Sequence, residues 1–199
     1  MAGVPFVGLT GGLGAGKSEA LRALGELGAA TLSTDALVHE LLTGDELRDI
    51  VVGRLGPEVA PEGRLDRSLI AERVFGDEEA RAWLEGELWP RVGRRVTDWK
   101  QEVEALDPAP PAAVVEVPLL FESGMEAAFD ATIAVVADES VREERAGARG
   151  HTAVSERTGR QLSQTEKAER ADFEVRNDGT LDELRETLSQ VLAKLERVP

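Results

Sequence analysis

The chain contains no cysteine among its 199 residues. Disulfides, thiol nucleophiles and cysteine-ligated zinc are thereby excluded. Histidine is almost as scarce: His39 and His151 stand far apart without metal-ligand spacing and read as surface residues. Basic side chains are in deficit, with 23 Lys and Arg against 38 Asp and Glu, for a formal net charge of −15. A surface that negative repels phosphate backbones, which argues against nucleic acid or an anionic membrane as partner. It also forces any polyphosphate site to concentrate the few available cations locally. A charged, apolar leader is missing at the amino terminus, and no apolar run approaches membrane-spanning length. A soluble cytoplasmic protein is the expectation. The sequence has no internal repeat, no low-complexity tract and no convincing catalytic triad.

What is present begins at Gly11. Residues Gly11-Gly12-Leu13-Gly14-Ala15-Gly16-Lys17-Ser18 form an unbroken G-x-x-x-x-G-K-[ST] phosphate-binding loop. Upstream, Val4, Phe6, Val7 and Leu9 read as a short buried strand. Downstream, Ala20, Leu21, Leu24 and Leu27 recur at helical spacing. The loop therefore joins the carboxyl end of a strand to the amino end of a helix, where unpaired backbone N–H groups and the helix dipole attract an anion. Lys17 would reach the β and γ phosphates, and the Ser18 hydroxyl would hold Mg²⁺. A nucleoside triphosphate is the implied ligand.

Strand and helix patterns alternate along the chain. Candidate strands are Phe6–Leu9, Ala29–Leu32, Ala112–Val117, Thr132–Val136 and Phe173–Val175, which argues for a parallel sheet with crossover helices. From Thr34 to Leu106 the sequence is almost wholly helix-like, punctuated at Gly56-Pro57, Pro61-Glu62-Gly63 and Gly76-Asp77. Its last helix carries an apolar stripe, Leu84, Leu88, Val92, Val96, Trp99 and Val103, in which Pro90 predicts a kink or a new helix. The tryptophans Trp83, Trp89 and Trp99 read as anchors of these helices. A second interruption, from Asp138 to about Lys167, is rich in arginine (Arg142, Arg145, Arg149, Arg157, Arg160) with interleaved acids, which suggests a solvated helical arm. The stripe from Leu181 to Leu195 is an amphipathic helix that covers the sheet. The fold class expected is α/β: a three-layer core of the P-loop NTPase type with a parallel sheet, a helical acceptor-binding insertion and an arginine-rich lid. The nucleotide-binding core would comprise 1–33, 110–137 and 168–199, the acceptor domain 34–109, and the lid 138–167.

A phosphate-binding loop alone does not separate a switch, a motor and a kinase. The guanine-reading Asn-Lys-x-Asp of a GTPase is absent, since Asn177-Asp178 lacks the lysine. A small-molecule kinase needs an acceptor-binding insertion, a carboxylate near the γ phosphate and arginines that close over the phosphates and exclude water. The insertion and the arginine-rich arm fit those parts.

Several stretches also resemble one family, the dephospho-coenzyme A kinases. Val7-Gly8-Leu9-Thr10 leading into the loop resembles that family's opening, and Leu65-Asp66-Arg67, Leu69 and Val74-Phe75 are similar to a second segment. Val117-Pro118-Leu119-Leu120-Phe121-Glu122 resembles its most specific motif; Arg145, Arg149, Arg157, Gln161, Lys167, Ala171-Asp172 and Asn177 follow its closing pattern. The resemblance implies ATP-dependent phosphorylation of the ribose 3′-hydroxyl of dephospho-CoA, with ATP and dephospho-CoA as partners and Mg²⁺ as cofactor. This chain differs from the family at Ser33-Thr34-Asp35, where an Asp-Ala-Asp is usual, at Trp89-Pro90 in place of His-Pro, and at Glu19 in place of Thr. Rival readings are a nucleoside or nucleoside-monophosphate kinase and an ATP-binding regulator without acceptor chemistry. The sequence is silent on oligomeric state.

Individual residues carry paired readings. Asp35, after the second strand, either accepts the acceptor hydroxyl's proton or caps the helix that begins Ala36-Leu37-Val38. Glu116, ending the third strand, either contacts the metal with Ser18 or is a hydrogen-bonded strand-end acid. Arg145, with Arg149 on the same helical face, either neutralises the phosphates or joins Arg142 among surface ion pairs. Catalysis is thus assigned to Asp35, Lys17 and Arg145. ATP binding falls to Gly12, Gly14, Ala15, Gly16, Lys17, Ser18, Glu19 and Arg149, although a carboxylate at Glu19 must turn away or find a cation. Acceptor binding is assigned to Thr10, Asp35, Arg67, Pro118 and Leu119. Thr10 reads alternatively as a strand-end hydrogen bond, Arg67 as surface, Pro118-Leu119 as packing, and Glu122 as the partner of an arginine.

Overall fold

A computed structural model describes residues 3–148 and 161–195. Five strands, β1 (Phe6–Gly11), β2 (Ala30–Ser33), β3 (Ala113–Glu116), β4 (Ala131–Val136) and β5 (Phe173–Arg176), form one sheet in the order β2-β3-β1-β4-β5. Every pairing is parallel. β1 and β4 are buried at every residue, as expected for inner strands covered on both faces. β1 extends to Gly11 because Thr10 and Gly11 pair with Ala134 and Val135 of β4.

Alternation along β1 divides its side chains between the two faces. Val7 and Leu9 join the main core with Ile133, Val135 and Val175. Helix α1 (Lys17–Glu26) contributes Ala20, Ala23 and Leu24, and α8 (Leu181–Leu195) contributes Leu184, Leu188, Val191, Leu192 and Leu195. Toward the other face, a β-carbon on Gly8 would lie 3.0 Å from Leu120 and 3.1 Å from Phe129. The Phe129 ring stacks on Phe6 with centroids 4.6 Å apart. Helix α7 (Gln164–Arg170) packs against β4 and β1.

The chain divides into two compact units, one comprising residues 1–33 and 100–199, the other 34–99. The second unit holds α2 (Thr34–Thr43), α3 (Arg48–Leu55), α4 (Arg67–Val74) and most of α5 (Glu78–Glu104). Leu37, Leu41, Val51, Leu55 and Ile70 are buried in it. The Asp66 carboxylate caps α4 by accepting from the Ser68 and Leu69 amides at 2.7 and 3.1 Å. Along α5 the stripe is realised at Leu84, Leu88, Val92 and Val103, all buried. Pro90 does not start a new helix: α5 runs through it. Pro90 and Gly86, the residue whose carbonyl the proline deprives of a donor, are both exposed. The neighbouring Glu87 carbonyl accepts the Arg91 guanidinium at 2.7 Å. Trp89 is not an anchor either, being 48% exposed. Among the described residues no helix is long and apolar enough to cross a membrane.

Ile133 is fully buried at the centre of the sheet, whereas Leu106 is 53% exposed. Ile133→Ala is expected to lower the unfolding free energy by about 2–5 kcal/mol and Leu106→Ala by less than about 0.5 kcal/mol, read from urea titrations.

Candidate active site

β1 lies where the sheet changes direction, with β3 and β2 on one side and β4 and β5 on the other. Ligands of open α/β sheets bind at such a point, beyond the carboxyl ends of the strands. The loop Gly11–Ser18 leaves β1 there and enters α1 through Gly16, an N-cap without a side-chain hydrogen bond. The Ala15 amide closes a turn on the Gly12 carbonyl at 3.2 Å. Gly14 and Gly16 have φ of 77° and 92°, the left-handed region that glycine adopts without a Cβ clash. Space demands glycine as well: a β-carbon on Gly14 would fall 2.7 Å from the Arg142 carbonyl oxygen, and one on Gly16 would fall 2.1 Å from Asn177 Nδ2.

Lys17 folds over the loop, its Nζ donating to the Gly11 and Gly12 carbonyls at 3.1 and 3.0 Å. The Ser18 hydroxyl faces Glu116 Oε1 at 3.5 Å, and Glu116, the last residue of β3, is 5% exposed. This places a hydroxyl and a buried carboxylate together at the loop. Arg145, on α6 (Glu139–Ala148), donates from Nη1 to the Asn177 carbonyl at 2.9 Å. Asn177 follows β5 and donates from Nδ2 to the Ala15 carbonyl at 2.9 Å. Glu19 turns toward Arg22, 3.8 Å away along α1. Its charge therefore has a cation, which answers the repulsion expected of a carboxylate beside phosphates.

Other expected residues stand differently. Thr10 is fully buried and its hydroxyl donates to the Pro118 carbonyl at 3.2 Å. That bond is the strand-end hydrogen bond given as its alternative reading. Leu119 is half-buried beside Pro118. Glu122 pairs with Lys167 at 3.0 Å, and among the described residues no arginine pairs with it. Asp35 is exposed within the first turn of α2, which starts at Thr34, so it is not the cap of a helix beginning at Ala36. Arg67 is exposed in the first turn of α4. Both belong to the 34–99 unit. Arg149 and Arg157 lie outside the described residues.

Sequence reasoning missed Arg142, which it left among the surface ion pairs. Arg142 does pair with Glu139 at 2.6 Å, but its Nε also donates to the loop carbonyl of Leu13 at 2.9 Å. The available signal was its position three residues before Arg145, which puts both guanidinium groups on one side of α6. Gln164 was also missed: its amide clasps the end of β4, donating to the Ala137 carbonyl at 2.7 Å and accepting the Ala137 amide at 3.1 Å. A cavity of about 470 Å³ opens here, lined by Gly12, Leu13, Arg142, Gln161, Ser163 and Gln164 among others. Its floor begins at a capping box in which Ser163 and Glu166 bond each other reciprocally. Those bonds, from the Ser163 hydroxyl first and its amide second, hold the Glu166 carboxyl below its usual range. The cap is therefore complete above the ordinary carboxylate pKa and is lost as pH falls through the depressed one.

A family model described as dephospho-CoA kinase matches residues 5–183. The chain belongs to the dephospho-CoA kinase family. A dephospho-CoA kinase of Protochlamydia amoebophila is 39% identical over 194 residues, covering 96% of each chain. The crystal structure of TT1252 from Thermus thermophilus superposes with a TM-score of 0.80 at 34% identity, covering 98% of this chain and 99% of that one. A dephospho-CoA kinase from Campylobacter jejuni gives 0.66 at 22% identity over 98% of both chains, and so shares the fold. The five-stranded parallel sheet described above is that of these kinases, and the family uses ATP.

Gly14→Ala is expected to weaken ATP binding at least tenfold in calorimetric titration, because the added methyl meets backbone at 2.7 Å at a positive φ. Strain of about 1–3 kcal/mol is the scale for a non-glycine residue held there.

Proposed function

We propose that this kinase transfers the γ phosphate of ATP to the ribose 3′-hydroxyl of dephospho-CoA, giving CoA and ADP. The observation that carries the reading is the gathering of Lys17, Arg142, Arg145 and the Ser18–Glu116 pair around one glycine-rich loop in a chain of net charge −15. A three-layer core of 1–33, 110–137 and 168–199, an acceptor domain of 34–109 and a lid of 138–167 are the parts this chemistry requires.

Loop amides and the Lys17 ammonium bind the β and γ phosphates, displacing the Lys17 bonds to Gly11 and Gly12. The donor set at Ser18 and Glu116 is all oxygen, one hydroxyl and one buried carboxylate, which suits a hard cation that keeps water and phosphate ligands. Among the described residues no group of three or more His, Asp or Glu gathers as a self-sufficient metal cage, so phosphate oxygens would complete the shell. Mg²⁺ bound there would neutralise charge on the β and γ oxygens. Asp35 accepts the 3′-hydroxyl proton as that oxygen attacks phosphorus; the new O–P bond forms while the bond to the β,γ-bridging oxygen breaks, and ADP leaves. Arg145 moves from the Asn177 carbonyl to the transferring oxygens, and Arg149 is assigned to ATP binding. Arg67 and Leu119 bind the acceptor, with Pro118 shaping that side.

Three measurements test this. In an ADP-release assay across dephospho-CoA, AMP, CMP and deoxynucleosides, only dephospho-CoA should support turnover; turnover with the nucleotides instead would overturn the acceptor, and no acceptor-stimulated release would leave a nucleotide-binding regulator. Asp35→Asn should lower kcat by about 10²–10⁴-fold with ATP affinity retained, and more than about a tenth of the rate remaining would remove Asp35 as base. Replacing Arg145 with Met should lower kcat more than it raises the KM for ATP.

A further inference from the structure

Phosphoryl transfer as set out above gives no part to the most deeply buried charge of the described chain. Lys167 of α7 is fully buried. Its Nζ donates to the Pro118 carbonyl at 2.6 Å and stands 3.0 Å from Glu122 Oε1. The same Pro118 oxygen accepts the Thr10 hydroxyl at 3.2 Å, and the same Glu122 oxygen accepts the Leu162 amide at 2.9 Å. Glu122 Oε2 is buried and accepts no hydrogen bond among the described residues, so Lys167 balances that carboxylate. One turn later on α7, Arg170 pairs with Glu126 and sits 4.8 Å over the Phe121 ring.

Four pieces of the site meet at this ammonium. Thr10 is the residue of β1 immediately before the loop. Pro118 lies two residues after Glu116. Glu122 lies within the turn that Pro118 begins. Leu162 is in the cavity wall that faces Gly12 and Arg142. An ammonium is a donor three times over and never an acceptor, so its burial selects one arrangement of carbonyl and carboxylate around it. As a source of stability it is a poor device, since apolar replacement of a buried pair is often neutral or better.

We propose that Lys167 is a positioning residue for phosphoryl transfer: with Glu122 it holds the Pro118 turn behind Glu116 and the Leu162–Gln164 wall in a single geometry around the phosphate loop. This rests on the kinase reading above. Lys167 reaches no substrate; it acts through Pro118 and Leu162. ATP affinity comes from the loop amides and Lys17, so loss of the ammonium falls on the geometry of transfer.

The test compares wild type, Lys167→Met and the double variant Lys167→Met/Glu122→Met by thermal midpoint, calorimetric ATP affinity, kcat with dephospho-CoA, and hydrogen exchange at the Leu162 amide. Lys167→Met alone should lower the midpoint, because Glu122 is left buried without its cation. The double variant should regain the midpoint, yet keep kcat at least about tenfold below wild type with the ATP Kd within about threefold, the split expected when orientation alone is lost. Leu162 should exchange faster in both. A double variant with wild-type kcat, or one whose ATP Kd rises as far as its kcat falls, overturns the proposal and leaves a structural ion pair. Should the double variant not fold, Thr10→Val removes the other donor to the Pro118 oxygen; the same split, smaller, is expected, and an unchanged kcat overturns the proposal. Wild type that releases no ADP with dephospho-CoA overturns the kinase reading and this proposal with it; an active wild type beside an unaffected double variant overturns this proposal alone.

Discussion

The loop backbone between Gly11 and Lys17 is clamped from two sides by chain that arrives much later in the sequence. Arg142 lies against Gly14 and bonds the Leu13 carbonyl; Asn177 lies against Gly16 and bonds the Ala15 carbonyl. Carbonyls bonded outward leave the amides of the same peptide units aimed into the loop. An anion site made of amides depends on that polarity, and its rigidity means little rearrangement is needed when charge develops. The two glycines are therefore a packing requirement as much as a conformational one.

Charge is distributed to the same end. Several cations of the described residues sit in exposed pairs: Arg22 with Glu26, Arg48 with Asp49, Arg54 with Glu79, and Arg176 with Asp138 and Asp178. Such pairs contribute about 0–1 kcal/mol each and are screened by salt. Arg142, Lys17 and Arg145 also donate to backbone carbonyls of the loop and its neighbours, Arg142 while pairing with Glu139. Carbonyls orient a cation without cancelling its charge. In a chain of net charge −15, three cations are thus brought to the one loop where a triphosphate would enter.

The inner strands β1, β3 and β4 were legible because inner parallel strands are continuous apolar runs, and the loop because its spacing is dictated by phosphate geometry. Strand limits shifted by a residue or two, since ladder bonds and not hydrophobicity end a strand; β1 reaches Gly11 through its pairing with β4. Pro90 did not begin a new helix, because the hydrogen bonds on either side of it carry α5 through the proline. Arg142 misled because it has an acidic neighbour at i−3, Glu139, which satisfies the pattern of a surface pair while saying nothing about Leu13, 129 residues away. Asn177 and Lys167 stood in the family pattern without a role, because each acts on residues 45 or more positions distant. Local spacing reports elements and motifs; partners across the sheet are set by topology.

β1 links these levels. Its odd-numbered residues Val7 and Leu9 bury into the core shared with α1 and α8, while Gly8 and Thr10 meet the segment after β3 on the other face. A one-residue slip of β1 would put Thr10 into the apolar core and lose the hydroxyl bond to Pro118. The pattern that makes the strand a core element is thus the same pattern that aligns the loop with Glu116 and with the carbonyl Lys167 reaches. Folding energy, supplied largely by apolar burial, is in this way converted into the placement of polar groups that contribute little stability themselves.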